Sequence, residues 1–262
     1  MNTEDQESQL GAQSSLVPTD SITNESRLLF KFRMWLKELP WIGVYFLIAL
    51  ILVALIRSFL VQSYMVPSGS MENTLQIKDL VMVWKPKETE RGDIVVFRDD
   101  LDWLGPAGDA PSWKKLLAFV HLYPPVTDQY LVKRVIGLPG DSIECCDSMG
   151  RIILNSVPLD EPYLLYANSE SALRSFQVIV PEGRIFVMGD HRDNSKDSRA
   201  WLCSSGLPSI AMPSLNSVQG SVFAIIRPVS RMQLFSTPEP FQDIPKPSNP
   251  PPSDDTVEWH CR

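Results

Sequence analysis

The chain has 262 residues, of which 44% are hydrophobic and 21% charged, and its formal net charge is −7 at pH 7. That length allows one sizeable core with additional segments, and the acidic balance argues against a nucleic-acid partner, which requires a clustered basic surface. The four cysteines and three histidines show no zinc-type spacing, so we predict no metal and no cofactor.

The chain opens with a polar, acidic stretch and continues into an apolar one. Residues 1–38 are predicted to be a flexible cytosolic leader. The apolar run begins at Trp41 and carries no charge up to Ile56. Taken as residues 39–61, it is long enough to cross about 30 Å of hydrocarbon as a helix. We therefore predict a single transmembrane anchor.

The charges that flank the anchor predict its orientation. Four basic residues precede the apolar run, whereas only Arg57 lies at its exit. The positive-inside rule then keeps the amino terminus in the cytoplasm and places residues 62–236 outside it, at the cell membrane. A cleavable signal sequence is the alternative, but no small-x-small cleavage site follows the run.

About ten residues after the anchor lies the turn Pro67-Ser68-Gly69-Ser70-Met71. A serine on a turn punctuated by proline and glycine can be presented to a substrate as a nucleophile. Its position near the membrane surface favours substrates that are themselves tethered to a membrane. Such a serine needs a base elsewhere in the chain.

The sequence after the turn predicts a mostly β, antiparallel domain. Short runs rich in β-branched residues are separated by turn signals, and no helices alternate with them. The domain is predicted to span residues 62–236 and to contain a smaller inserted β region at about 142–184. The predicted strands are 80–84, 93–97, 130–136, 151–154, 176–180, 185–188 and 222–226.

Residues 113–123 are the exception to the β pattern. Trp113, Leu116, Leu117 and Val120 recur at helical spacing, which predicts a short amphipathic helix. That helix either packs on the β domain or dips its apolar face into the outer leaflet of the membrane.

The end of the chain and the cysteines are less informative. Prolines crowd residues 237–262 and hydrophobic periodicity stops there, so this segment is predicted to be a disordered tail. Cys145 and Cys146 are adjacent and pair with each other only under strain, and Cys203 is a possible partner for either. Their connectivity stays open.

Lys133 is the candidate base. In a strand it shares a face with Leu131 and Val135, and an apolar face lowers the pKa of a lysine to about 8 by disfavouring its charged form. The alternative is a lysine at a strand edge whose ammonium group reaches water. Of the three histidines, His191 is a possible second base, although a histidine serving only the turn is the simpler interpretation.

Four segments in order after an anchor resemble the sequence boxes of bacterial type I signal peptidases. Only the leader and the proline-rich tail lie outside the resemblance, and the single anchor is similar to that of Gram-positive members. The boxes are Pro67 to Met71, Arg91 to Phe97, Lys133 to Asp141 and Gly189 to Arg199.

The resemblance implies roles for individual residues. Ser70 corresponds to the nucleophile and Lys133 to the general base, while Ser68 and the Ser70 backbone N–H form the oxyanion hole. Ser195 corresponds to a serine that orients the lysine, and Asp197 and Arg199 to a supporting charge pair. The substrate pocket corresponds to Tyr64, Val66, Met71, Leu75, Val81, Val96, Leu131 and Val132.

The same resemblance implies the activity. The enzyme removes signal peptides from secretory preproteins, cutting after small residues through an acyl-enzyme. Two departures from the family pattern are Asn73, where many members carry proline, and His191, where many carry asparagine. A self-cleaving repressor-type Ser–Lys protease and a non-catalytic β domain tethered to the membrane are the alternatives.

Overall fold

A computed structural model of the chain describes residues 22–105, 111–112, 129–166, 175–205, 207–247, 250–257 and 259–261, with only the backbone for 22–40. The predicted helix at 113–123 lies outside the described residues. The chain divides into two compact units, residues 1–52 and residues 53–262.

The longest element is helix α1, Ile22–Phe59. Its part Trp41–Phe59 has a mean hydropathy of 2.4 and is long and apolar enough to cross a membrane, judged by length and composition. None of that part is buried inside the protein. The predicted span runs two residues too far, because Val61 already pairs with Trp84 in a strand.

In the part of the chain that the structure describes, twelve strands, numbered in chain order, form two antiparallel sheets, which confirms the predicted fold class. The first sheet has the order β1-β2-β10-β3-β4-β9, and β11 pairs with β10. Its strands are β1 Val61–Met65, β2 Leu80–Trp84, β3 Ile94–Arg98, β4 Tyr130–Gly137, β9 Phe186–Met188, β10 Val218–Arg227 and β11 Gln233–Leu234.

The second sheet is smaller and has the order β12-β8-β5-β6-β7. Four of its strands lie in the stretch where the inserted β region is predicted. The fifth comes from the end of the chain. The strands are β5 Ser142–Cys145, β6 Ile152–Leu154, β7 Val157–Pro158, β8 Phe176–Ile179 and β12 Trp259–Cys261.

Short helices connect the strands. Within the described ranges two of them are α-helical, α2 Ser198–Ser205 and α3 Pro208–Ala211. The rest are 3-10 turns at Gly69–Met71, Arg192–Asn194, Leu215–Ser217, Val229–Arg231, Glu239–Phe241 and Asp254–Thr256.

Side-chain alternation along β4 divides the core around the first sheet. Val132 belongs to one apolar cluster, with Val81 and Val96, whereas Val135 belongs to another, with Val95. Successive strand residues point to opposite faces, so the two clusters cover the two faces of this sheet. A third cluster packs on the second sheet.

The prediction of a disordered tail after residue 236 is wrong for the described part of that segment. Phe241 and Ile244 are buried in the third apolar cluster. Further along, Trp259 pairs with Val178 as β12 adds to the second sheet. The prolines therefore interrupt regular structure without preventing burial, because the few apolar residues between them have a surface to pack on.

All four cysteines are paired in the structure. Cys145 bonds its neighbour Cys146, and Cys203 of α2 bonds Cys261 of β12. The predicted possibility that Cys203 pairs with one of the adjacent cysteines is not realised. Its actual partner, Cys261, lies in the segment that is predicted to be disordered.

We predict that the Cys203–Cys261 bond stabilises the fold much more than the Cys145–Cys146 bond. The first closes a sequence separation of 58 residues, and the second joins adjacent residues. Replacing Cys203 and Cys261 with Ala should lower the free energy of unfolding by about 2–4 kcal/mol. Urea unfolding of the detergent-solubilised full chain measures this. The control is Cys145→Ala with Cys146→Ala, and equal losses in the two variants would contradict the prediction.

Candidate active site

Ser70 lies in the 3-10 turn Gly69–Met71, just after β1. The turn is fixed from below by Met71, which is 1% exposed and packs in an apolar cluster with Leu75. The backbone N–H groups of Thr74 and Leu75 both donate to the Met71 carbonyl, at 3.1 and 2.7 Å. Ser70 is therefore part of a short hydrogen-bonded unit that is anchored in the core.

Lys133 lies in the middle of β4, opposite Val95 of β3. It is 3% exposed, so its ammonium group does not reach bulk water as the alternative interpretation requires. Its Nζ donates a hydrogen bond to Ser70 Oγ at 2.5 Å. The apolar cluster on this face contains Val95, Val135 and, at its margin, Leu131.

Burial controls the charge of Lys133. Desolvation lowers its pKa from the ordinary value of 10.5 to about 8. Smaller effects come from the neighbouring charges: Asp197 and Asp190 raise the pKa, and Arg199 lowers it further. A neutral amine is thus accessible near physiological pH. A neutral lysine beside a serine hydroxyl can accept its proton.

Asp197 and Arg199 form the buried pair that the resemblance implies. The Arg199 guanidinium donates to both carboxylate oxygens, at 2.9 and 3.0 Å. The second interaction of Asp197 is with Gly189, whose N–H donates to it at 3.0 Å. Burial alone would raise the pKa of Asp197, yet the Arg199 charge and these hydrogen bonds hold that pKa below its ordinary value.

Gly189 brings the turn after β9 close to the nucleophile. A Cβ at this position would collide with the Ser70 carbonyl oxygen and with Ser195 Oγ, so only glycine allows the approach. The backbone N–H of His191, two residues after Gly189, donates to the Ser70 carbonyl at 3.1 Å.

Ser195 differs from its predicted role. Its Oγ is buried against Gly189 and has no hydrogen-bond partner among the described residues, so the expected bond to Lys133 is not made. Lys133 instead directs its hydrogen bond to Ser70. The Ser68 hydroxyl lies 3.5 Å from Ser70 Oγ, on the exposed side of the turn.

A small cavity of about 180 Å³ opens onto Ser70 and Lys133. Four of the eight predicted pocket residues line it, namely Val66, Met71, Leu131 and Val132. The other four are fully or almost fully buried in the apolar cluster behind and do not line it, namely Tyr64, Leu75, Val81 and Val96. Sequence reasoning missed the lining residues Pro67, Leu104 and Tyr130.

A buried network of charges behind the two residues was also missed. Arg134, next to Lys133, forms a two-fold ion pair with Asp190 at 2.6 and 2.8 Å. Thr74 donates to the same carboxylate at 2.5 Å. Arg134 and Asp190 both lie in the sequence boxes, which could have marked them as residues of the site. Nothing in the sequence indicates that they pair with each other.

The two departures from the family pattern both make contacts beside Ser70. His191 Nδ1 lies 3.1 Å from a carboxylate oxygen of Glu72, so its ring is paired with that residue. Asn73 adopts a φ of 84° and its side-chain amide donates to the carbonyls of Tyr163 and Leu164. Within the described residues, no group of three or more His, Cys, Asp or Glu side chains is placed to hold a metal ion.

Comparison with known proteins identifies the family. The family model for signal peptidase, peptidase S26, matches residues 39–226. A signal peptidase I of Mycobacterium tuberculosis is 32% identical over 227 residues, which is 76% of each chain. The probable signal peptidase I-2 of Synechocystis is 33% identical over 164 residues, covering 61% of this chain and 64% of that one.

A solved signal peptidase I from Enterococcus faecalis is 26% identical to this chain. The match covers 52% of this chain and 97% of the Enterococcus faecalis chain, with a TM-score of 0.33. The chain belongs to the signal peptidase family, peptidase S26, and is a serine endopeptidase. The resemblance drawn from the four boxes is therefore confirmed.

We predict that the buried charge of Lys133 destabilises the fold below about pH 8. Its pKa is about 8 in the folded chain and 10.5 when unfolded, so the unfolded state binds the proton more tightly. That difference costs about 3 kcal/mol below pH 8, shrinks as pH rises, and vanishes above about pH 10.5. Lys133→Met should remove the cost and stabilise the protein at pH 7.

Urea unfolding of wild type and Lys133→Met at pH 7 and at pH 10.5 measures the difference. The control is Lys246→Met, which changes an exposed lysine. If Lys133→Met shows the same gain at both pH values, its effect is one of packing and not of charge burial.

Proposed function

We propose that this protein cuts N-terminal signal peptides from secretory preproteins, with Ser70 as nucleophile and Lys133 as general base. The single observation that carries the proposal is the 2.5 Å contact between Lys133 Nζ and Ser70 Oγ in surroundings that lower the lysine pKa to about 8. Membership of the signal peptidase family supports assigning peptide-bond cleavage to these two residues.

The reaction follows from the protonation states of the two groups. Neutral Lys133 takes the proton of Ser70 as Oγ attacks the scissile carbonyl carbon, and the resulting ammonium gives that proton to the leaving amine. The peptide C–N bond breaks and an ester to Ser70 remains. Lys133 then removes a proton from a water molecule as that water attacks the ester carbonyl, and it returns the proton to Ser70 Oγ as the ester C–O bond breaks, which restores the hydroxyl and the neutral amine.

The negative charge that develops on the carbonyl oxygen requires hydrogen-bond donors. The Ser68 hydroxyl and the Ser70 backbone N–H stand on the same turn, and we assign the oxyanion hole to them. Support comes from the exposed position of Ser68 at 3.5 Å from Ser70 Oγ. Removing one such donor typically costs 10²- to 10³-fold in rate.

The shape of the site supports an extended substrate with a small side chain at the cleavage position. Among the described residues, β4 pairs with β9 only from Arg134 onward, so its edge from Leu131 to Lys133 has no strand beside it opposite β3. An extended peptide can add to such an edge. A cavity of about 180 Å³ beside this edge then takes the side chain at the cleavage position, and we assign a small side chain such as that of alanine to it because the chain belongs to the signal peptidases.

The location of the reaction is the cell membrane. Helix α1 contains one candidate span, and we propose that the β-sheet unit lies outside the cytoplasm, where preproteins emerge from the translocation machinery into reach of the site. The lipid bilayer and the preprotein are thus the partners, and nucleic acid is not.

We predict that Ser70→Ala and Lys133→Ala each reduce preprotein cleavage by more than about 10⁴-fold, because one removes the attacking oxygen and the other the proton acceptor. Lys133→Arg should be equally inactive, since a guanidinium does not lose its proton. Conversion of a purified preprotein on a gel measures the rate. Alanine variants of His121, His191 and His260 are the controls and should stay active.

The pH profile of the same reaction supplies a second criterion. The value of kcat/KM should rise as Lys133 loses its proton, with a midpoint at about pH 8. Substantial cleavage by Ser70→Ala, or a rate that keeps rising up to pH 10, would rule out this mechanism.

We predict opposite accessibility for the two ends of the chain. A cysteine introduced at Asp20 should react with an impermeant thiol reagent only after the membrane is opened, and one at Glu239 should react in intact spheroplasts. The native cysteines are paired and give little background. The reverse labelling pattern would place the site in the cytoplasm and remove secretory preproteins as substrates.

A further inference from the structure

The loop at residues 160–166, here called the 160–166 loop, belongs to the region of the second sheet but lies against the active-site turns. Glu161 forms a buried ion pair with Arg192, and the Tyr163 hydroxyl donates to the same carboxylate at 2.6 Å. The Leu165 N–H donates to the carbonyl of Asp190 at 3.3 Å. The loop is thus bonded to the turn that follows β9.

The same loop also contacts the strand that carries Lys133. The Arg134 guanidinium lies 3.8 Å above the centre of the Tyr163 ring, a favourable cation–π distance. Arg134 is 3% exposed, so this contact is desolvated and geometrically restricted. The position of the loop is therefore fixed both by the turn that follows β9 and by β4, which the Arg134–Asp190 ion pair joins.

Asn73 connects the loop to the nucleophile. Its Nδ2 donates to the Tyr163 carbonyl at 2.9 Å and to the Leu164 carbonyl at 3.2 Å. The φ of 84° is in the left-handed region, which asparagine tolerates and proline cannot adopt. Asparagine here therefore provides both a turn conformation and a pair of hydrogen bonds that proline does not offer.

Asn73 is connected to Ser70 through a short path. The N–H groups on its carboxyl side, those of Thr74 and Leu75, both donate to the carbonyl of Met71, the residue next to the nucleophile. The turn from Ser70 to Leu75 is thus one hydrogen-bonded unit, whose exposed corner is Asn73.

We propose that Asn73 is a positioning residue, which fixes Ser70 relative to Lys133 by tying the nucleophile turn to the 160–166 loop. The inference rests on the proposed function, because it assigns Asn73 an effect on the reaction of Ser70. It also gives the second sheet, which contains neither Ser70 nor Lys133, a part in that reaction. Asn73 itself touches neither of these two side chains.

The test compares Asn73→Gly with Asn155→Gly in the detergent-solubilised full chain. Glycine keeps the left-handed backbone and removes only the side-chain bonds. Asn155 is a close match, since it has a φ of 50° and its Nδ2 also donates twice, to Asp141 and to the Pro245 carbonyl, away from Ser70. Preprotein cleavage supplies kcat, KM and the pH midpoint, and urea unfolding supplies stability.

Asn73→Gly should lower kcat about tenfold, the effect of losing two ordinary hydrogen bonds, with KM unchanged within about twofold. The pH midpoint should stay at about 8, because Lys133 remains buried. Asn155→Gly should lower stability and leave kcat unchanged. Asn73→Asp, which sets a carboxylate against two carbonyl oxygens, should lower kcat at least as much as Asn73→Gly.

Two results would overturn the inference. One is a kcat for Asn73→Gly within about twofold of wild type. The other is a loss of kcat accompanied by a rise of the pH midpoint toward 10.5, since that means general loosening that lets water reach Lys133. Failure of the proposed function looks different, because wild type and Ser70→Ala then cleave preprotein equally poorly, and the inference falls with it.

Discussion

The proposed chemistry depends on a lysine ammonium group being kept out of water. Lys133 is 3% exposed, and the free energy that its desolvation costs is what makes a neutral amine available beside Ser70 at about pH 8. The rest of the fold has to supply that free energy. The described residues form two sheets with three apolar clusters and are joined by two disulfides. The free energy gained by burying this core can offset the desolvation of one lysine.

The charges around the site are arranged so that the desolvation of Lys133 is not cancelled. Asp197 is the acidic residue with the largest effect on the pKa of Lys133, yet its carboxylate is occupied by Arg199 and by the Gly189 N–H. Asp190 is likewise occupied by Arg134. A free carboxylate at either position would keep Lys133 protonated, since an opposite charge favours the charged form. The buried ion pairs therefore help to keep the pKa of Lys133 low, in addition to stabilising the fold.

Much of the fold was predictable because it depends on local patterns. The seven predicted strand segments all overlap strands of the structure, and the alternation of Leu131, Lys133 and Val135 along one strand already placed the lysine on an apolar face. The closeness of Ser70 and Lys133 did not follow from local pattern. They are separated by 63 residues, and only the resemblance to a family linked them.

What sequence reasoning missed involves contacts between distant segments. The pairing of Cys203 with Cys261 requires β12, which proline content had argued against. Ser195 lies in the expected turn, but its hydroxyl points at Gly189, and a rotamer choice of this kind is not encoded in a motif. Half of the predicted pocket residues are in the core because a strand pattern marks apolar positions without showing which of them border a cavity.

The pairing of β12 with β8 determines when, during folding, the second sheet is complete. The two strands are separated by roughly 80 residues, so their pairing is a contact of high sequence separation and should form late and slowly. Residues 259–261 leave the ribosome after every residue of the active site. If the 160–166 loop depends on a completed second sheet, the proposed active site is complete only after β12 has paired with β8.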